Sequence, residues 1–183
     1  MTPDTTLYTS TQVAQRIDEL AQEIITRYKD QNPLFVCLLR GGAPFATQLM
    51  FAITKHDPQF HPELDYMTIK TYGDERVDRT PELIADLLPS TSADNRTVII
   101  LDDVLDKGGT ATFAHQYLTE RHNAASVDLV VLVQKTVNRP TYPTATLYGF
   151  EAPAEWLTGM GMDNSNIAKE ASRWTQSIGI ANS

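Results

Sequence analysis

Three aspartates, Asp102, Asp103 and Asp106, stand within five residues of VIILDDVLDKGGTATFA, residues 98–114, and a glycine pair follows the third. From Asp106 to Thr110 the chain can wrap backbone N–H groups around an anion, because Gly108 and Gly109 permit positive φ and close approach. The helix expected next points its positive end at the same place, which suits one phosphate. Asp102 and Asp103 are wrong for phosphate but right for accepting hydrogen bonds from sugar hydroxyls, or for holding a hydrated Mg²⁺ indirectly. Together the two halves describe a phosphorylated sugar. Aspartate and glycine also populate ordinary turns, but four apolar residues, two acids, a spacer, a third acid, two glycines and a threonine are more than a turn requires. Lys107 precedes the glycines instead of following them, so this is not a GxxxxGK[ST] nucleotide loop.

The elements that position these residues can be read on either side. Val13, Ile17, Leu20, Ala21, Ile24, Ile25 and Tyr28 recur at three- and four-residue spacing and predict a helix over 11–29, with Thr9 and Gln12 as a capping box at its start. LFVCLL at 34–39 and TVIIL at 97–101 are short apolar runs that suit strands buried on both faces. Each is followed by a glycine turn and a helical pattern, PFATQLMFAITK after the first and residues 110–118 after the second. LDYMTIKTY at 64–72, SVDLVVLVQK at 126–135 and ATLYG at 145–149 predict further strands, and residues 73–96, rich in charge, Pro and Ser, are the best candidate for a mobile loop. The order implies an α/β fold with a mainly parallel sheet covered on both faces. In such a sheet ligands sit at the carboxyl ends of the strands, where DDVLDKGGT lies.

Bulk properties narrow the function classes. At 183 residues the chain suits one domain. A net charge of −8 argues against broad affinity for nucleic acid. No apolar run approaches a membrane span and MTPDTTLYTS lacks the regions of a signal peptide, so a cytoplasmic protein is expected. Cys37 is the single cysteine, which excludes an intramolecular disulfide and a Cys-rich metal cluster; inside LFVCLL it reads as a buried structural thiol.

VIILDDVLDKGGTA resembles the 5-phosphoribosyl-1-pyrophosphate (PRPP) motif of the type I phosphoribosyltransferases. LLRGG resembles the pyrophosphate loop of the hypoxanthine and hypoxanthine-guanine members, KTY the start of their flexible catalytic loop, and VQKT with GFEAPAEWLTGMGMD their purine-binding hood. The four segments stand in the family's order across residues 34–163. The resemblance implies a twisted, mainly parallel sheet with helices on both faces and a small C-terminal hood. It would be a single domain over 1–183, with a core at about 10–135 and a hood at about 136–183 joined by the N-terminal segment.

The reaction so implied displaces pyrophosphate from C1′ of PRPP by a purine nitrogen, through a ribose ring that becomes cationic. By resemblance Asp106 is the general acid/base near N7 of the purine. Asp102 and Asp103 hold the ribose hydroxyls and the Mg²⁺ environment, and Lys107, Gly108, Gly109, Thr110, Ala111 and Thr112 hold the 5′-phosphate. Arg40, Gly41 and Gly42 would face pyrophosphate beside a cis or switching peptide, and Thr71 and Tyr72 would begin the loop that excludes water. Lys135 would donate to the exocyclic oxygen of the purine, Trp156 would stack on the base, and Leu157 would offer backbone groups to its edge. Asp163 would contact the base side or a second Mg²⁺. Taken alone, Lys135 reads better as a solvated strand-end residue and Trp156 as an ordinary core aromatic.

Two positions depart from the pattern. Lys107 stands where the family usually has Thr or Ser, and Lys169, six residues after Asp163, stands where it has an arginine for pyrophosphate. A lysine keeps the charge but lacks the bidentate fork. The expected activity is salvage of hypoxanthine to IMP, with guanine or xanthine as further substrates, in a homodimer or homotetramer that binds neither nucleic acid nor membrane. A xanthine-preferring enzyme and a PRPP- or nucleotide-sensing regulator of low activity are the rivals; Asp106 and the hood argue against the regulator.

Overall fold

The computed structural model describes residues 5–72, 80–137, 144–163 and 172–181. Its main sheet has six strands: β2 (Leu34–Leu39), β3 (Glu63–Tyr72), β4 (Thr80–Ala85), β5 (Thr97–Leu105), β6 (Ser126–Lys135) and β7 (Leu147–Ala152), in the order β4-β3-β2-β5-β6-β7. All neighbours are parallel except β3 and β4. The apolar runs read as doubly buried strands occupy the middle of the sheet, where Phe35, Val36, Ile99 and Ile100 are fully enclosed.

Helices α1 (Ser10–Tyr28) and α2 (Ala43–His56) cover one face. Their buried stripes, including Ile17, Leu20, Ile24, Phe45, Leu49 and Ile53, pack on Phe35, Ile99 and Leu101. The start of α1 is the expected capping box: Thr9 N–H donates to Gln12 Oε1 (2.9 Å) and Gln12 N–H to Thr9 Oγ1 (3.3 Å). Helix α3 (Gly109–Arg121) covers the other face through small residues, Ala111 and Ala114, and Leu118. A second sheet joins the two ends of the chain: β1 (Thr5–Tyr8), β9 (Ile178–Ile180) and β8 (Leu157–Thr158), in the order β1-β9-β8.

The segment 73–96, expected as one long loop, is divided. Residues 73–79 lie outside the described residues, whereas TPELIA forms β4 and pairs antiparallel with β3. Pro81 fits there because β4 is an edge strand, where a missing N–H breaks no interior ladder. Asp65, buried on β3, accepts Leu88 N–H (2.8 Å) and so fixes the chain beyond β4. Strand β5 also runs farther than TVIIL, through Leu105, so Asp102 and Asp103 are strand residues and not part of a turn.

Chain order reverses between β2 and β5: the connection from β2 leads to β3 on one side, and that from β5 leads to β6 and β7 on the other. The crevice at the carboxyl ends of these two strands is where an open parallel sheet binds ligands. LLRGG ends β2 there and DDVLDKGGT ends β5.

Candidate active site

Gly108 takes φ 86° and is the N-cap of α3, so the chain turns from β5 into the helix through a left-handed residue that only glycine adopts without strain. Thr112 N–H closes the first helical turn on Gly108 O (2.8 Å). The segment Lys107–Thr112 therefore presents a helix N-terminus with Gly108 as its cap and Gly109 as its first residue, with Lys107 and Gly109 exposed and an added Cβ at Gly109 meeting open space.

Asp102 and Asp103 sit above it on the strand. Asp103 is buried, and burial pushes both carboxyls above the usual carboxylate range. The neighbouring Asp103 charge adds to the rise at Asp102, while the Val104 N–H (2.8 Å) and the Arg173 guanidinium oppose it at Asp103. Two such acids side by side store unfavourable energy that a cationic partner would relieve. Their donor set is oxygen only, and no group of three or more His, Cys, Asp or Glu converges among the described residues. An oxygen donor set suits Mg²⁺, which takes oxygen ligands.

Arg40, Gly41 and Gly42, expected to face pyrophosphate, follow β2 at the same end, and the Leu39–Arg40 peptide is cis. Gly41 is packed so closely on Asp103 that a Cβ there would collide with Oδ2, and a Cβ on Gly161, at φ 105°, would collide with Gly41 O. Three segments distant in sequence thus meet without space for a methyl group. Buried beneath them, Cys37 has its thiol pushed up to about 12, by burial first and then by Asp102 and Asp103, which makes it an inert core thiol as read from the sequence.

Asp106 follows the last residue of β5 and Lys135 is the last residue of β6. The register pairs Leu105 with Gln134, which sets the next residues side by side. Lys135 Nζ lies 2.9 Å from Asp106 Oδ2, with the lysine side chain buried and the aspartate half exposed. Lys135 is therefore not a solvated strand end. Trp156 is 43% exposed, and its Nε1–H donates to Asp163 O (2.5 Å), which leaves it no ordinary core aromatic. Leu157 is buried on β8, paired with Ile180. Thr71 and Tyr72 end β3, with their backbones opposite Pro81 and Thr80.

Lys169 lies outside the described residues. The structure brings a different cation to the crevice: Arg173, buried, donates from its guanidinium to Gly161 O and to Asp163 Oδ2 (2.8 Å). Its backbone carbonyl also accepts Gly161 N–H (2.9 Å), which holds the GMGMD turn in place. Arg173 is a residue that the sequence reading did not single out. The signal present in the sequence is that Arg173 is the last arginine of the chain, five residues before the strand that anchors the hood.

The description "Phosphoribosyl transferase domain" matches residues 4–163. A hypoxanthine-guanine phosphoribosyltransferase of Bacillus subtilis is 30% identical over 158 residues, covering 86% of this chain and 83% of that protein. A bifunctional TilS/HprT protein of Listeria monocytogenes is 32% identical over 86% of this chain, which spans only 23% of that longer protein. Among solved structures, a hypoxanthine phosphoribosyltransferase of Staphylococcus aureus superposes with a TM-score of 0.82 at 25% identity, covering 97% of this chain and 90% of that one. The chain therefore belongs to the phosphoribosyltransferase family, with the type I fold.

Proposed function

We propose that the protein is a purine salvage enzyme that transfers the 5-phosphoribosyl group from PRPP to hypoxanthine, giving IMP and pyrophosphate, with guanine and xanthine as further substrates. The observation that carries this reading is Asp106 held 2.9 Å from Lys135 at the mouth of the Gly108 cradle, an acid/base and a base-edge donor beside a phosphate site.

In this mechanism Lys107–Thr112 bind the 5′-phosphate through the backbone N–H groups at the start of α3, with Lys107 adding a point charge in place of a hydroxyl. Asp102 and Asp103 accept from the ribose hydroxyls, and their charge favours the ring as it becomes cationic. Asp102, Asp103 and Asp163 would hold Mg²⁺, which when bound would supply positive charge beside the pyrophosphate. Arg40, Gly41 and Gly42 face that leaving group. Arg173 takes the role assigned by spacing to Lys169: its guanidinium already spans Gly161 and Asp163 and acts on Asp103. Lys135 donates to the 6-oxo group, and Trp156 stacks on the base, a contact worth roughly 1–3 kcal/mol. Leu157 offers backbone groups at the base edge. Asp106 takes the proton of N7 as the glycosidic bond forms. Thr71 and Tyr72 begin the covering segment that keeps water from the cationic ring. The protein works in the cytoplasm as a homodimer or homotetramer; among the described residues no helix is long and apolar enough to cross a membrane.

The test is pyrophosphate release by the purified protein with PRPP, Mg²⁺ and, in turn, hypoxanthine, guanine, xanthine and adenine. Release with hypoxanthine and not adenine is expected. Release with none of the four overturns the reading.

A further inference from the structure

Among the described residues, four other than glycine hold a positive φ, and three of them, Asn32, Asn95 and Asn123, are of the type whose short amide tolerates it. The fourth is Met160, at φ 49°, between Gly159 at 90° and Gly161 at 105°. A third glycine would take this conformation without strain, yet the chain places a long side chain there. Strain of this kind persists only where the surroundings over-determine the residue. Met160 is held from two sides. Its backbone N–H donates to Thr175 O (2.8 Å), in a turn closed by Gly159 and Met162 exchanging N–H···O bonds (3.1 and 3.0 Å). Its side chain is 1% exposed and belongs to the core that contains Phe45 and Leu49 of α2, and its Sδ accepts from Gln48 Nε2 (3.7 Å) on the same helix.

The helix that Met160 grips is the one that Gly41 leads into. Gly42 is its N-cap and accepts Ala46 N–H (2.9 Å), and Gln48 stands about 9 Å farther along the axis. The next residue of the turn, Gly161, meets Gly41 O with no room for a methyl group, and Gly41 meets Asp103 in the same way. Adjacent residues thus engage two parts of one rigid piece: the side chain of Met160 takes the helix, and the backbone of Gly161 takes the loop ahead of it. We infer that Met160 is a positioning residue for the pyrophosphate site: by anchoring the turn on α2 it holds Gly161 against Gly41, and so fixes the peptide units of residues 40–42 where the leaving group binds. The inference rests on the reading above in which Arg40, Gly41 and Gly42 face pyrophosphate. Met160 itself is buried, and acts only through the glycine that follows it.

A core methionine with no such role would affect folding stability and nothing else. Equilibrium binding of PRPP and of IMP, each with Mg²⁺ present, separates the two. Both ligands carry a ribose 5′-phosphate and differ at C1′, where one has pyrophosphate and the other the base, so the ratio of their Kd values cancels effects at the cradle and the acid pair. In calorimetric titration of the full chain, Met160→Gly, which leaves the turn a run of three glycines without its anchor, should weaken PRPP roughly 10- to 100-fold relative to IMP, the scale of a misplacement of about 1 Å. Met160→Leu, apolar and close in volume, should keep most of the wild-type ratio. Met160→Ala removes the anchor without a third glycine and gives the same readout should the glycine variant fail to fold. A PRPP/IMP ratio that is the same in wild type and in the truncated variants, whatever their thermal stability, overturns the inference and leaves the proposed function standing. Wild type that binds no PRPP overturns the proposed function and the inference with it.

Discussion

The two ends of the parallel sheet are built to opposite specifications. At the amino end of β6, Asp128 accepts from Tyr28 OH (2.9 Å) and Thr146 Oγ1 (2.8 Å), and the same Thr146 oxygen accepts Leu129 N–H (3.2 Å). Nearby Arg96 reaches Glu63 (2.6 Å), and Thr97 joins Gln31 and Ser126. At the carboxyl end, Asp102 and Asp103 are driven above the ordinary carboxylate range by burial, and three backbone segments meet where no methyl group fits. At one end the carboxylates are paired with protein donors and cations, although Arg96 Nε is left without a partner, and at the other two acids are crowded in an arrangement that a ligand would complete. The same strands serve both, so stability and chemistry are separated along the strand and not between domains.

That contrast can be broken from either side. The largest effect should come from Asp128→Ala, which strands the Tyr28 hydroxyl in the core: a loss of about 2–3 kcal/mol in denaturant unfolding, with kcat for IMP formation unchanged. An equal fall in kcat would mean that the two ends are not independent. Gly161→Ala should come next, since the new Cβ meets Gly41 O at a φ of 105°, where a side chain is itself strained. We expect a loss of about 1–3 kcal/mol together with a raised KM for PRPP, the opposite partition from Asp128→Ala. The smallest effect has the opposite sign. Asp102→Asn should abolish turnover yet stabilise the ligand-free protein by about 1 kcal/mol at neutral pH, because it removes a buried charge beside another. The folded-state value of Asp102 lies above its unfolded one, so the folded form binds more protons and wild type loses stability as pH rises from the ordinary carboxylate range through the raised value. The advantage of the variant should therefore grow with pH over that window and vanish below it, as read by thermal unfolding. A variant less stable than wild type at every pH would show that the acid pair is satisfied without a ligand.

Much of this was legible in the sequence where periodicity and turn chemistry agreed. The runs LFVCLL and SVDLVVLVQK are strands with the bounds expected, and Thr9 with Gln12 caps α1. The runs fail to identify β4, because it exists by pairing with the edge of β3, a non-local event that a six-residue segment containing Pro81 does not announce. The reach of β5 through Asp102 and Asp103 was hidden for a related reason: carboxylates read as turn residues, and the parallel neighbour β6 overrides that preference. Within the site, the acids, the glycines and Lys135 lie close to their signature positions in the chain. Arg173 escapes because its place is set by the hydrogen bonds of the Gly161 turn, and spacing from Asp163 carries no record of those.

The register of β5 against β6 has a consequence for how such an enzyme can change over generations. Since the contact of Asp106 with Lys135 is an alignment of strand ends, substitutions near Trp156 and Leu157 that would reshape the proposed base pocket leave this proposed proton-handling pair where it is. New substrates are then reachable by drift in the covering segments while the reactive pair is inherited intact. A shift of the two strands by a single residue would undo both at once.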